Sequence, residues 1–292
     1  MNGIYQYERV NEMKVIGVGD NVVDKYNHTR IMYPGGNSLN FSVYAKELGM
    51  TAAYMGVFGN DLAGKHILRT LQELKIDISY SKQVTGENGY ALVDLIDGDR
   101  VFLGWNGGGV QKSHPIQLKQ EELFYLSSFD IVHTSIYSGI DQELYKVKEL
   151  GVPLSYDFSN EFNETILESV CKFVDFSLLS CGQREIEEVK DLLLLVHSYG
   201  SELVIGTMGS RGALAYDGNQ FYFQKPEYVT PVDTLGAGDA FFTAFILHYL
   251  TTKKIQKDFF TPVDLTPSLK LGAKFAAQKC LIDGAFGFGI SF

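Results

Sequence analysis

Asp233-Thr234-Leu235-Gly236-Ala237-Gly238-Asp239 is the stretch of this sequence best suited to chemistry. Three small residues, Gly236, Ala237 and Gly238, let the backbone approach a ligand closely. A strongly apolar run follows, so these residues fall where a helix begins. Free amide N–H groups and the positive end of the helix dipole then face one space, which suits a developing anion. Asp239 lies in the first helical turn beside that space, within reach of a hydroxyl proton. Phosphoryl transfer from ATP needs both features, a base that orients the nucleophile and donors for the charge on the migrating group. The spacing by itself supports a second reading equally well, in which Asp239 is an ordinary first-turn carboxylate.

Positioning such a loop takes a scaffold, and the chain alternates short apolar runs with helical patterns. Strands are predicted at Val15–Val18, Ala52–Val57, Ile131–Thr134, Leu154–Asp157, Phe176–Leu179 and Leu203–Thr207. Helices are predicted at Ser38–Leu48, at Leu62–Leu74 with Asp61 as its cap, and near Gln142–Leu150, Glu164–Phe173 and Glu185–Tyr199. A last helix is predicted over Ser268–Ile282. This β-α alternation predicts an α/β fold, a mostly parallel central sheet with helices on both faces. All 292 residues are read as one domain.

Two stretches break the rhythm. Lys25–Tyr33 alternates apolar and polar residues, and so does Gly89–Trp105 around the turn Asp97-Gly98-Asp99. They are assigned to a small β-sheet lid inserted at about 25–33 and 89–105. A hairpin by itself is marginal, so the lid must pack on the main body or a ligand. A further hairpin is expected at Ala213–Tyr216 and Gln220–Gln224.

Several segments carry a resemblance. Asp233–Asp239 is similar to the C-terminal signature of ribokinase-like (PfkB) carbohydrate kinases, in which the last aspartate is the catalytic base. Gly35-Gly36-Asn37-Ser38-Leu39-Asn40 resembles the family's N-terminal sugar-binding signature, and Gly19 and Asp24 fit its opening strand. Thr207-Met208-Gly209-Ser210-Arg211-Gly212 resembles its nucleotide segment. The order and spacing agree from about Lys14 to about Gly287. The resemblance implies that Asp239 is the base and that Gly236, Ala237 and Gly238 hold the migrating phosphoryl group. It implies sugar contacts from Asp24, Gly35, Gly36, Asn40 and Arg100, and nucleotide contacts from Thr207, Gly209, Gly212 and Thr234. It also implies ATP with Mg2+, a K+-like cation near Asp233 and Ala285, and a homodimer through the lid. Gly19–Asp24, Asp99–Phe102, Phe129–His133 and Tyr156–Ser159 are similar to fructoselysine 6-kinases, which act on a sugar-amine at its 6-hydroxyl. Other ketose kinases share the remaining motifs. A sensor that binds sugar without turnover is the non-enzyme alternative.

The sequence departs from the family in two places, and in one of them Asn37 and Ser38 replace the lysine or glycine that follows the paired glycines. Ser180 and Gln183 stand where many members have an asparagine and a magnesium-organising glutamate, so Glu185 and Glu188 become candidates. Other motifs fail on their own terms. Gly59–His66 approaches a P-loop but ends in His66, where magnesium needs a hydroxyl. Gly17-Val18-Gly19 lacks the third glycine of a dinucleotide fingerprint, with Val22 in its place.

Bulk properties narrow the classes. Twenty-five basic against 35 acidic residues give a formal charge of -10, which disfavours nucleic acid and anionic lipid as partners. Cys171, Cys181 and Cys280 are widely spaced and odd in number, so no disulfide framework is expected. No apolar run approaches the ~18 residues that span a membrane. The chain is expected in the cytoplasm.

Overall fold

The structure is a computed structural model that describes residues 13–96, 99–256 and 263–292. β1 (Lys14–Val18) opens the chain and leads into β2 (Val22–Tyr26) and β3 (Ile31–Gly35). α1 (Asn37–Glu47) returns to β4 (Thr51–Met55). The run predicted as one strand, 52–57, breaks at Gly56, whose N–H and carbonyl bond instead to Ser81 and Lys82. A short β5 (Val57–Phe58) follows, and after α2 (Leu62–Glu73) it pairs with β6 (Lys82–Gln83). Asp61 caps α2 by accepting from the Gly64 amide at 3.0 Å. β7 (Gly89–Ile96) and β8 (Asp99–Trp105) form the hairpin, whose turn residues 97 and 98 lie outside the described residues.

Short helices α3 (Val110–Ser113) and α4 (Gln120–Leu126) precede β9 (Ile131–Ser135). The second half then alternates: α5 (Leu144–Glu149), β10 (Leu154–Asp157), α6 (Glu164–Cys171), β11 (Phe176–Ser180), α7 (Ile186–Ser198) and β12 (Leu203–Thr207). The hairpin β13 (Ala213–Tyr216) and β14 (Phe221–Gln224) leads to α8 (Ala237–Ile255), α9 (Thr266–Lys279) and a terminal β15 (Ile290–Ser291).

The main sheet has the order β14-β13-β12-β11-β10-β9-β1-β4 and is parallel from β4 to β12. Its parallel strands are apolar and buried because helices cover both faces. Leu39, Phe41 and Tyr44 of α1 pack with Phe242 and Phe245 of α8 and Leu269 of α9 on one face. Leu144, Val147, Leu167, Val170, Val189 and Leu193 of α5 to α7 form the other core. Truncating a fully buried ring such as Phe245 to alanine would cost about 3–5 kcal/mol, a large part of a typical net stability.

β1 pairs with β4 on one side and with β9 on the other. The chain therefore runs outward in opposite directions from β1. In open α/β sheets the crevice at such a reversal, beyond the strands' carboxyl ends, is where ligands bind.

The lid is a second sheet of order β15-β3-β2-β7-β8. It differs from the expectation in extent. β2 and β3 reach from Val22 to Gly35, and the tail adds a fifth strand that pairs antiparallel with β3. A two-residue strand carries no period-2 signal of its own, so the sequence could not reveal it.

Candidate active site

The turn Asp233–Gly236 delivers the chain into α8 through Gly236, at φ 70°. A Cβ there would lie 2.6 Å from the Tyr44 hydroxyl and 2.8 Å from Ala285, so both backbone angle and space demand glycine. The Ala237 N–H donates to Thr234 O at 3.3 Å. The N–H groups of Gly236, Gly238 and Asp239 have no protein partner among the described residues. The free donors at this helix start are thus 236, 238 and 239, and Ala237 is the one the turn itself employs. A Cβ on Gly238 would meet nothing within 4 Å, so open space lies over the loop.

Asp239 sits partly exposed at the edge of that space. Its Oδ2 accepts from Asn40 Nδ2 at 2.7 Å. Asn40 is buried, and its Oδ1 has no partner, which leaves an acceptor beside the carboxylate for a ligand hydroxyl. Three residues earlier on α1, Asn37 Nδ2 donates to Asp157 Oδ2 at 2.5 Å. Asp157 ends β10, and Asn37 and Asn40, one turn apart on α1, hold its carboxyl beside that of Asp239. Desolvation raises the proton affinity of both aspartates above the usual carboxylate range, and the like charge of Asp157 adds to it for Asp239.

Asp20, just past β1, anchors the start of α1. Its Oδ2 accepts from the Asn37 amide at 2.6 Å, and its Oδ1 accepts from the Ser38, Ser135 and Ser138 hydroxyls at 2.8–2.9 Å. Gly36 enters that helix at φ 116°, where a Cβ would press on the Asp20 and Asn21 backbone. Asp24 is buried on β2, and its Oδ2 lies 2.5 Å from where a Cβ on Gly35 would stand. Gly35 thus lies against Asp24, Gly36 against Asp20, and Asn40 against Asp239. Arg100 is on β8 opposite Leu95, with its side chain outside the described residues.

Thr207 ends β12, and Gly209 and Gly212, both at positive φ, bracket the 3₁₀ turn Gly209–Arg211. Space over Gly209 is open, whereas Gly212 is packed against Gln224 O, so only the former has room for a ligand. Thr234 is exposed in the turn before α8.

The residues named for ions have protein partners. Glu185 and Glu188 form the capping box of α7, with the Glu185 N–H donating to Glu188 Oε2 at 2.9 Å, so helix capping explains both. Among the described residues no group of three or more His, Cys, Asp or Glu could hold a metal. An Mg2+ at this site would be held chiefly by nucleotide phosphates, as this ion often is. The pair named for a K+-like cation is also engaged. Asp233 accepts from the Tyr26 hydroxyl and from the Leu235 and Gly284 amides, and Ala285 O accepts from Tyr44 at 2.6 Å. These bonds tie the small sheet, the loop and the tail together.

Asp157 and Asn37 were not assigned roles from the sequence. A buried strand that ends in aspartate was the available signal, but its partner, Asp239, stands 82 residues away in the chain (239 minus 157).

The sequence matches the pfkB family of carbohydrate kinases over residues 6–285. The chain belongs to that family. As a pfkB kinase it is a sugar kinase that uses ATP. It is 37% identical over 281 residues to fructosamine kinase FrlD of Bacillus subtilis (strain 168), covering 96% of this chain and 95% of that protein. It is 31% identical over 229 residues to fructoselysine 6-kinase of Escherichia coli (strain K12), covering 78% and 86% respectively. Its fold is similar to Arabidopsis thaliana ribokinase complexed with ribose and ATP, with a TM-score of 0.79, 21% identity and coverage of 94% and 95%. No helix among the described residues is long and apolar enough to cross a membrane.

Proposed function

We propose that this kinase transfers the γ-phosphoryl group of ATP to the 6-hydroxyl of fructoselysine or a related Amadori compound. The 37% identity to a fructosamine kinase over nearly the full length of both chains carries this reading. In it Asp239 takes the hydroxyl proton, and the open N–H groups of Gly236 and Gly238 stabilise the charge on the migrating phosphoryl group. Asp24, Gly35, Gly36 and Asn40 hold the sugar, and Arg100 supplies a further contact to it. Thr207, Gly209 and Thr234 line the nucleotide side, and Gly212 closes the turn behind them. Lid closure excludes water and limits wasteful ATP hydrolysis.

Asp24, buried on β2 beside Gly35, is the acid proposed to face a substrate ammonium. A homodimer through the lid is part of the reading. Its edge strand β8 exposes Phe102, Leu103 and Trp105, with Trp105 65% exposed.

The test is kcat/KM for fructoselysine, fructose, ribose and 2-keto-3-deoxygluconate under one condition. Fructoselysine should lead. A tenfold advantage for fructose or ribose would overturn the substrate assignment, and sugar binding without ADP formation would point to a sensor.

A further inference from the structure

Asp157 is 4% exposed, and three groups converge on its carboxyl. The Ser159 N–H donates to Oδ1 at 2.7 Å and Asn37 Nδ2 to Oδ2 at 2.5 Å. The third is the Asp239 carboxyl: Asn37 and Asn40, one turn apart on α1, hold the two carboxyls side by side. An ionised carboxylate can only accept, so a hydrogen bond between two carboxyls requires a proton on one of them. Asp157 already accepts two bonds as an anion, and Asp239 accepts one, from Asn40. The shared proton is therefore better placed on Asp239.

Donors from Ser159, Asn37 and Asn40 favour the ionised forms, and the charged neighbours oppose them. Asp20 at the end of β1 adds a third carboxylate to both members. Tyr44 of α1 faces Asp239, and Tyr137 and Tyr156 face Asp157. Neither lysine nor arginine is among them. Two adjacent carboxyls in such surroundings do not both ionise readily.

We propose that Asp157 is a positioning residue that masks the base: it shares one proton with Asp239, which accepts the sugar's proton only after the shared one has left for water. This rests on the reading of Asp239 as the base. The cycle balances. The shared proton departs to solvent. The sugar O–H bond then breaks, its proton passes to an Asp239 oxygen, and the sugar oxygen bonds to the γ-phosphorus as the bond to the bridging oxygen of ADP breaks. The pair is left with one proton, as it began. Each turnover thus releases one proton to water.

The experiment compares pH profiles of kcat/KM for the wild type, Asp157→Asn and Asp239→Asn, using the fastest sugar substrate found. An asparagine removes the like charge and donates to Asp239. The acid limb of D157N should then move down by about one pH unit or more, so that below the wild-type limb its activity relative to its own plateau rises about tenfold. The sugar KM should stay within about threefold. An unmoved limb with activity lowered equally at every pH would mark Asp157 as merely structural and overturn the proposal. If D239N keeps turnover, the base assignment itself fails, which is a separate result. Infrared difference spectra of the wild type against D157N guard against a poorly folded variant. They should show, at a pH just below the wild-type acid limb, one protonated carboxyl in the wild type that D157N lacks. A wild type with no such carboxyl would also overturn the proposal.

Discussion

Asn40 and Asp239 stand 199 residues apart in the chain, and one hydrogen bond of 2.7 Å joins them. It links the first turn of α8 to α1, and so brings the glycine loop before α8 to the helix that follows Gly35-Gly36. Replacing Asp239 with asparagine removes the proton acceptor and keeps the volume. Turnover should fall about 10²–10⁴-fold with the fold intact. Steady-state kinetics beside a thermal melt would check this, and a loss under threefold would remove Asp239 from the chemistry.

The same variant should change how stability depends on pH. In the folded protein, desolvation and the Asp157 charge raise the proton affinity of Asp239. The folded chain therefore keeps a proton that the unfolded chain releases near pH 3.9. Folded-state stability then declines as pH climbs from about 4 through the raised value. D239N has no proton to lose there, so its Tm advantage over the wild type should grow between pH 4.5 and pH 8. Melting curves across that range with parallel Tm values would contradict the raised affinity.

Gly238 differs from Gly236 in why it is small. Nothing lies within 4 Å of a Cβ at 238, so Gly238→Val should fold with little change in Tm. The valine would fill the space assigned to the phosphoryl group, and kcat should drop at least about tenfold, or about 1.4 kcal/mol of transition-state stabilisation. A rise in sugar KM with kcat preserved would make the loop a sugar contact instead.

The scaffold was legible because its signals are local. Leu154–Asp157 and Leu203–Thr207 form strands with the ends their apolar runs mark, and Asp61 caps α2 as its place before an apolar period suggests. Buried parallel strands and amphipathic helices each leave a period that neighbouring residues carry. The motif around Asp239 was legible for a related reason: small residues before an apolar helix define a loop and a helix start within seven positions.

Tertiary packing decided the rest. The sequence could not say that Asp20 would be consumed by the serines of α1 and of the segment after β9, nor that Glu188 would cap its own helix. It could not show β15 closing the lid sheet against β3. Above all it could not pair Asp157 with Asp239, because each aspartate sits in an unrelated local pattern. By itself the sequence determined the elements and the loop that offers donors to an anion. The order of strands around β1 determined which carboxyls meet. Proton affinity depends on desolvation and on the charge next door, and both are properties of residues brought together in space and not along the chain.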